Sequence, residues 1–378
     1  MTLRVMFYVQ HLLGIGHLAR ASRIAATMAS QGMAVTLVTG GLPVPGFPGA
    51  GVGHLPLPPL TLGDTGFSGL NTAEGHPADQ TFLDRRRDLL LATFHDLAPD
   101  VVITEAFPFG RRQMRFELYP LLDAIAAARP RPLLLASVRD ILQAKMKPGR
   151  DVETVDTVLT HYDRVLVHGD PCFARLEETF PLAERIADRV IYTGLVTGLV
   201  PDPSPEAYDV VASAGGGAVG QGIAFAAVGA ARLLPHLSWL IVTGPNLPPA
   251  DTARLTADLP ANVTLARFRP DFPQLLASAR LSVSQAGYNT AGDILQAGCR
   301  AILVPYATQG ETEQTDRATR LHRLGRAEVL TEDQLEAGSL ARTVARMLDQ
   351  PAPERHADLA TDGAAATATA IARMVRGA

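Results

Sequence analysis

The chain is 378 residues long, 47% hydrophobic and 19% charged, with a net charge of -4. This length predicts two or three globular domains, and the acidic balance removes the overall attraction on which nucleic-acid binders depend, so no nucleic-acid partner is expected. Two distant cysteines, Cys172 and Cys299, with no Cys or His nearby at metal-ligand spacing, indicate neither a disulfide scaffold nor a structural zinc site and fit a reducing compartment.

The first residues lack the long apolar core and small-residue cleavage site of a secretory leader, and no run of about 18 apolar residues occurs anywhere. The expectation is a cytoplasmic chain that neither leaves the cell nor spans a membrane.

Leu3 to Val9 reads as a buried first strand, and HLLGIGHLARAS, residues 11–22, opens an amphipathic helix behind it. The short apolar runs AVTLVT, DVVIT, PLLLASV, RVLVHG and RVIYTG then alternate with segments of helical period, the pattern of a parallel sheet covered by helices. Residues 40–81 are too rich in Gly and Pro for regular structure beyond one short strand around Val52 to Leu55, and loops of this length are usually lids or insertions. The next helix, from about Asp79, places Leu83, Leu90, Phe94 and Leu97 on one face. Arg85 to Arg87 beside them are expected to be solvated, with a lipid-headgroup contact as the alternative.

EAFPFGRRQMRFELYPLL, residues 105–122, mixes Phe107, Phe109, Phe116 and Tyr119 with Arg111, Arg112 and Arg115. It is either a helix burying its aromatic face or a wall for an anionic or lipid-linked acceptor, to which Arg139 of the next strand also belongs. Residues 193–209 carry three prolines and two glycines and mark a linker, with the boundary near Pro201. A second series of strands follows: YDVVASA, LSWLIVTG, NVTLARF, RLSVSQ, RAILVPY and RAEVL. The fold class is therefore α/β, with two Rossmann-like domains at 1–200 and 201–355. The Ala-rich tail, 356–378, is either a helix crossing back to the first domain or a frayed end.

Gly14-x-Gly16-x-x-Ala19 and Gly215-x-Gly217-x-x-Gly220 both superficially fit a dinucleotide fingerprint. A nicotinamide or flavin cofactor would need an acidic residue about 20 positions later; the first acid of the chain is Asp64, and none lies between Asp209 and Asp251. What survives is glycine letting backbone approach a ligand, and a helix N-terminus that suits phosphate. In SQAGYNTAGDILQAG a strand runs into Gln285 and Gly287, a helix starts near Asn289 and Thr290, and Asp293 either helps the helix dipole or accepts ribose hydroxyls. After VPY, a helix starting at ATQGETEQTDRA would put Glu311 and Gln314 on one face as ligand contacts and pair Glu313 with Arg317. Two acids at i, i+2 diverge on a helix, so no metal site is expected there.

At these residues the chain resembles the GT-B glycosyltransferases, and within them the glycosyltransferase family 28 type represented by the cell-wall N-acetylglucosaminyltransferase. The resemblance implies two Rossmann-like domains facing a cleft, a nucleotide-sugar donor and no separate cofactor. It assigns the donor diphosphate to Gly215, Gly216 and Gly217, the ribose to Asp293, the base to the backbone around Phe268 and Arg269, and the sugar hydroxyls to Glu311 and Gln314. It places Gly14, Gly16 and His17 opposite the donor; Arg20 stands where that family commonly has proline.

Inverting transfer needs a base for the acceptor hydroxyl and stabilisation of the departing nucleotide diphosphate. His17 is the candidate base, with a capping role as the alternative, and Glu105 and Asp140 are its rivals because both stand just beyond strand ends. The function expected is metal-independent transfer of a sugar, from a UDP-sugar, to an unidentified acceptor, by a cytoplasmic enzyme that touches the inner membrane face. A nucleotide-sugar 2-epimerase of the same architecture and a non-catalytic sugar-nucleotide sensor remain as alternatives.

Overall fold

The computed structural model describes residues 2–12, 14–63, 66–143, 149–215, 220–244, 247–351 and 359–377. They form two compact units, residues 1–196 with 359–378 and residues 197–358.

Unit 1 runs β1 (Arg4–Val9), α1 (Gly16–Ser30), β2 (Ala34–Thr39), β3 (Gly53–Pro56), β4 (Leu60–Gly63), β5 (Gly66–Thr72), α2 (Gln80–Leu97), β6 (Val101–Glu105), α3 (Arg115–Ala127), β7 (Leu133–Arg139), α4 (Arg150–His161), β8 (Arg164–His168) and β9 (Val190–Tyr192). Seven strands form one parallel sheet in the order β3-β2-β1-β6-β7-β8-β9. Helices cover a parallel sheet on both faces, so its strands must be apolar on both sides. Val5 to Val9, Val101 to Ile103 and Val165 to Val167 are accordingly all buried. Strand order reverses between β1 and β6, and at such a switch point the connections leave in opposite directions and open a crevice beyond the strand ends.

Residues 40–81 hold more regular structure than their composition predicts. Besides β3 they form the antiparallel pair β4 and β5, with Leu60 opposite Thr72 and Leu62 opposite Leu70. Glycine here serves close packing rather than disorder: a Cβ on Gly63 would lie 3.1 Å from Asn71 Oδ1.

The expected solvated arginine run also needs correction. Helix α2 starts as predicted, with the Asp79 carboxylate accepting the Phe82 N–H at 2.7 Å, but Arg86 is fully buried. It donates to both oxygens of Glu117 on α3 (2.7 and 2.9 Å), to Gln10 Oε1 (2.7 Å), and to the carbonyls of Gly40 (3.0 Å) and Pro58. Tyr8 donates its hydroxyl to the same Glu117. Burial disfavours the charged form of Arg86, yet Glu117 and Tyr8 outweigh it and raise the pKa. Gly40 is obligatory beside this group, since a Cβ would lie 2.0 Å from Gln10 Oε1.

Unit 2 runs β10 (Val210–Ser213), α5 (Gln221–Leu233), β11 (Trp239–Val242), α6 (Pro249–Thr256), β12 (Val263–Ala266), α7 (Phe272–Ser278), β13 (Leu281–Ser284), α8 (Tyr288–Ala297), β14 (Arg300–Leu303), α9 (Glu313–Arg323), β15 (Glu328–Val329) and α10 (Ala337–Leu348). Its six parallel strands are ordered β12-β11-β10-β13-β14-β15, so its switch point lies between β10 and β13. The chain then returns to unit 1 as α11 (Gly363–Arg376), which packs against α1. Ahead of it, Leu195 N–H donates to Ala360 O at 2.8 Å and Ala360 N–H to Asp170 Oδ2 at 2.8 Å.

Candidate functional site

Each switch point carries a cluster of the residues singled out in the sequence. In unit 1, His17 stands on the first turn of α1 and Glu105 ends β6, next to β1 in the sheet. His17 Nδ1 lies 2.8 Å from Glu105 Oε1. Arg20, one turn along α1, ion-pairs with the same carboxylate oxygen, and Ser137 donates its hydroxyl to Oε2 at 2.6 Å. Glu105 is fully buried, while the His17 side chain keeps 19% of its exposure.

The electrostatics fix the protonation. Burial would raise the pKa of Glu105, but Arg20, His17 and Ser137 outweigh it and hold the carboxyl at about 2. For His17, burial and the neighbouring Arg111 guanidinium outweigh Glu105 and lower the pKa to about 3. The ring is therefore neutral at pH 7. A carboxylate can only accept, so the single ring proton belongs on Nδ1, and Nε2 carries the lone pair of a base.

The connection following Glu105 is strained in the places that matter. Ala106 (φ 67°) and Arg111 (φ 56°) both adopt the left-handed conformation, which costs a residue other than glycine of order 1–3 kcal/mol. The second of these turns aims Arg111 inward, where its Nε donates to Gln10 O at 2.7 Å. Burial and the like charge of Arg139 pull the Arg111 pKa down to about 10, a sign of crowded positive charge.

The remaining candidates of unit 1 separate. Phe107 and Phe109 belong to the core, edge-on to Tyr119 and Phe180. Arg112 and Arg115 both ion-pair with Glu153 of α4, to which Tyr119 also donates at 3.0 Å. Asp140 is fully buried, its Cβ under Gly169, and its Oδ1 accepts the Ile141 N–H at 2.8 Å. Burial leaves neither it nor Glu105 open to an acceptor hydroxyl. Gly14 and Gly16 lead into α1, whose N-cap residue Ile15 makes no side-chain cap, and a Cβ on Gly14 would meet nothing within 4 Å.

In unit 2 the glycine turn after β10 is set by close backbone packing. Gly215 (φ 77°), Gly220 (φ 116°) and Gly244 (φ 79°) are left-handed; a Cβ on Gly220 would lie 2.4 Å from Ala214 O, and one on Gly244 2.5 Å from Gly215 O. Gly216 and Gly217 lie outside the described residues. Gln285 is buried with its Oε1 against Gly215. Gly287, the N-cap of α8, has open space where a Cβ would stand. Asn289, Thr290 and Asp293 are half-buried along the first turns of that helix.

Helix α9 begins at Glu313, two residues later than the predicted face requires, so Glu311 precedes the helix and only Gln314 lies on it. Gln314 Oε1 accepts the Tyr306 N–H at 3.1 Å. Glu313 and Arg317 form the expected i, i+4 pair (2.9 Å), fully inside the protein, and Arg317 also donates to Ala286 O at 3.0 Å, bracing the turn before α8. Phe268 is 63% exposed after β12, whereas Arg269 is held by Asp271 and Glu206. Among the described residues no group of His, Cys, Asp and Glu is placed to hold a metal ion, and no helix is long and apolar enough to cross a membrane.

Comparison with known proteins agrees with this layout. Residues 225–373 match the glycosyltransferase family 28 C-terminal domain. A UDP-N-acetylglucosamine--N-acetylmuramyl-(pentapeptide) pyrophosphoryl-undecaprenol N-acetylglucosamine transferase of Rhodospirillum centenum is 33% identical over 120 residues, 32% of this chain and 30% of the relative. The chain thus spans less than a third of that relative's length. Among solved structures, the calicheamicin glycosyltransferase CalG4 superposes with a TM-score of 0.63 at 19% identity, covering 100% of this chain and 98% of that one. The glycosyltransferase VinC in complex with dTDP gives 0.65 at 15% identity and covers both chains fully. The chain therefore has the GT-B glycosyltransferase fold, and its residues 225–373 are similar to the family 28 C-terminal domain.

Proposed function

We propose that this protein transfers a sugar from a nucleoside diphosphate donor to an acceptor hydroxyl, with His17 as the base. The observation that carries the reading is the His17–Glu105 pair: a neutral imidazole whose Nδ1–H is spent on a buried carboxylate leaves Nε2 to take the acceptor proton. As the proton arrives, Glu105 stabilises the imidazolium. Direct attack by the activated hydroxyl gives inversion. The donor belongs to unit 2, its diphosphate on the turn that includes Gly215 and on the open N-terminus of α8 at Gly287, and its ribose on Asp293. Phe268 would meet the base, and Gln285, Asn289, Thr290, Glu311 and Gln314 the sugar-phosphate.

The name of the Rhodospirillum centenum relative specifies a UDP-sugar, which supports uridine as the nucleoside. The acceptor is inferred to be anionic, because the Arg111 guanidinium stands among the like charges of Arg139 and Arg20. A lipid diphosphate would bring the enzyme to a membrane surface. Helix N-termini and guanidinium groups can neutralise the departing diphosphate, so transfer is expected to proceed in the presence of a chelator.

A thermal-shift panel of nucleoside diphosphates tests the donor assignment. Uridine diphosphate at a hundredfold excess over its dissociation constant should stabilise the fold by about 2.7 kcal/mol. Stabilisation by nicotinamide dinucleotides alone would overturn the assignment. Product analysis with donor but without acceptor separates transfer from epimerisation.

A further inference from the structure

Behind Glu105 lies a row of buried polar groups that base catalysis by His17 does not itself require. Glu105 on β6 is the register partner of Ser137 on β7, Arg139 of β7 that of His168 on β8, and Thr193 follows β9. Ser137 Oγ lies 2.6 Å from Glu105 Oε2 and 2.8 Å from His168 Nε2, and His168 Nδ1 lies 2.8 Å from Thr193 Oγ1. Ser137 and His168 are fully buried and Thr193 nearly so.

The proton positions in this row follow from one fact. Ionised Glu105 can only accept, so the one hydroxyl proton of Ser137 points to it. Ser137 Oγ must then accept from His168 Nε2–H. His168 is kept neutral, since burial and Arg20 lower its pKa to about 3 against the pull of Glu105, so its Nδ1 accepts the hydroxyl of Thr193. Every donor aims the same way, across four strands, toward one carboxylate. The row ends at buried Thr193, so it gives a proton no exit to solvent and is not a wire.

We propose that Ser137 and His168 are positioning residues for His17, acting through Glu105: His168 orients the Ser137 hydroxyl, which fixes the carboxylate that holds the catalytic ring in its Nδ1–H form. The kinetic part of this proposal rests on the sugar-transfer reading; the structural part does not. The charged groups that act on the His17 ring are Glu105 from β6, Arg20 from α1 and Arg111 from the connection after β6, with Arg139 from β7 acting on Arg111 and His168 from β8 facing Glu105 and Arg20.

The test uses full-length protein labelled with nitrogen-15 in its ten histidines, with His17 signals assigned by loss in His17→Gln. Wild type and His168→Gln, whose amide N–H can still reach Ser137, should both show His17 protonated at Nδ1. Ser137→Ala and His168→Leu should shift His17 toward mixed tautomers and lower kcat about tenfold or more, with the donor KM within about twofold. If His168→Leu does not fold, Ser137→Ala decides. An unchanged His17 signal, or an unchanged kcat in an active preparation, overturns the proposal. Should no preparation transfer sugar while the ring signals respond as expected, the transfer reading fails and the positioning role stands.

Discussion

Arg86 of α2 and Glu117 of α3 form a two-pronged ion pair with neither side chain exposed to solvent. The pair joins two helices through residues 31 apart in the chain and reaches, through Gln10 and Gly40, the connections that leave β1 and β2. Breaking such a pair strands a charge in the interior, at a cost of about 3–5 kcal/mol, whereas replacing both partners by apolar groups is often close to neutral. Arg86→Met should therefore lower unfolding stability by about that amount, and the double substitution Arg86→Met with Glu117→Leu should recover part of it. Urea denaturation of the three proteins measures this; equal losses in the single and double variants would refute it.

His17→Ala should lower kcat by roughly a hundredfold or more and leave the donor KM nearly unchanged, the signature of a lost general base. Because the His17 pKa is lowered to about 3, the acid limb of the wild-type rate should lie well below the ordinary imidazole range, toward that value. A limb centred near 6.5 would mean that the ring is more exposed during turnover than in the free protein.

Stability should fall as the solution is acidified from about pH 6.5. His17 and His168 are both held near 3 in the fold, so between the unfolded value of about 6.5 and 3 the unfolded chain binds two protons that the folded one does not. Each adds a slope of about 1.4 kcal/mol per pH unit. Glu105, lowered to about 2, adds its own loss as the pH falls from its unfolded value of about 4.5. Denaturation at pH 7, 6 and 5 checks the sign, and His168→Gln should flatten the curve in the upper part of that window.

Asp293→Asn removes a charge from α8 while keeping side-chain size. It should weaken uridine diphosphate binding by about tenfold and shift the melting temperature of the unliganded protein little. A large loss of unliganded stability with intact affinity would assign Asp293 to the helix dipole instead.

The strands were legible because they are buried on both faces: AVTLVT delimits β2 to the residue, and Leu3 to Val9 exceeds β1 by one residue. The pair β4 and β5 was not, since its residues, LTLG and GFSGLNT, lack both the apolar run and the alternation that mark a strand. The same divide runs through the candidate site. His17 stood out beside its glycines, and Arg20 was in view three residues on as a departure from the family pattern. Ser137 and His168 were not seen, because what joins them to Glu105 is strand register, which no local pattern records. Whether Phe107 and Phe109 form a core face or a wall stays open in the sequence for the same reason that Arg86 reads as solvated: a short stretch shows what a side chain is made of, and only the packing shows which way it faces.

The return of the chain to unit 1 has a bearing on synthesis. Helix α1 is made before its packing partner α11, with all of residues 197–358 made between them. At about 5–20 residues per second, the face of α1 that meets α11 stays uncovered for on the order of ten seconds or more. Unit 2 has its whole sheet available before α11 is made, so unit 1 is begun before unit 2 and completed after it.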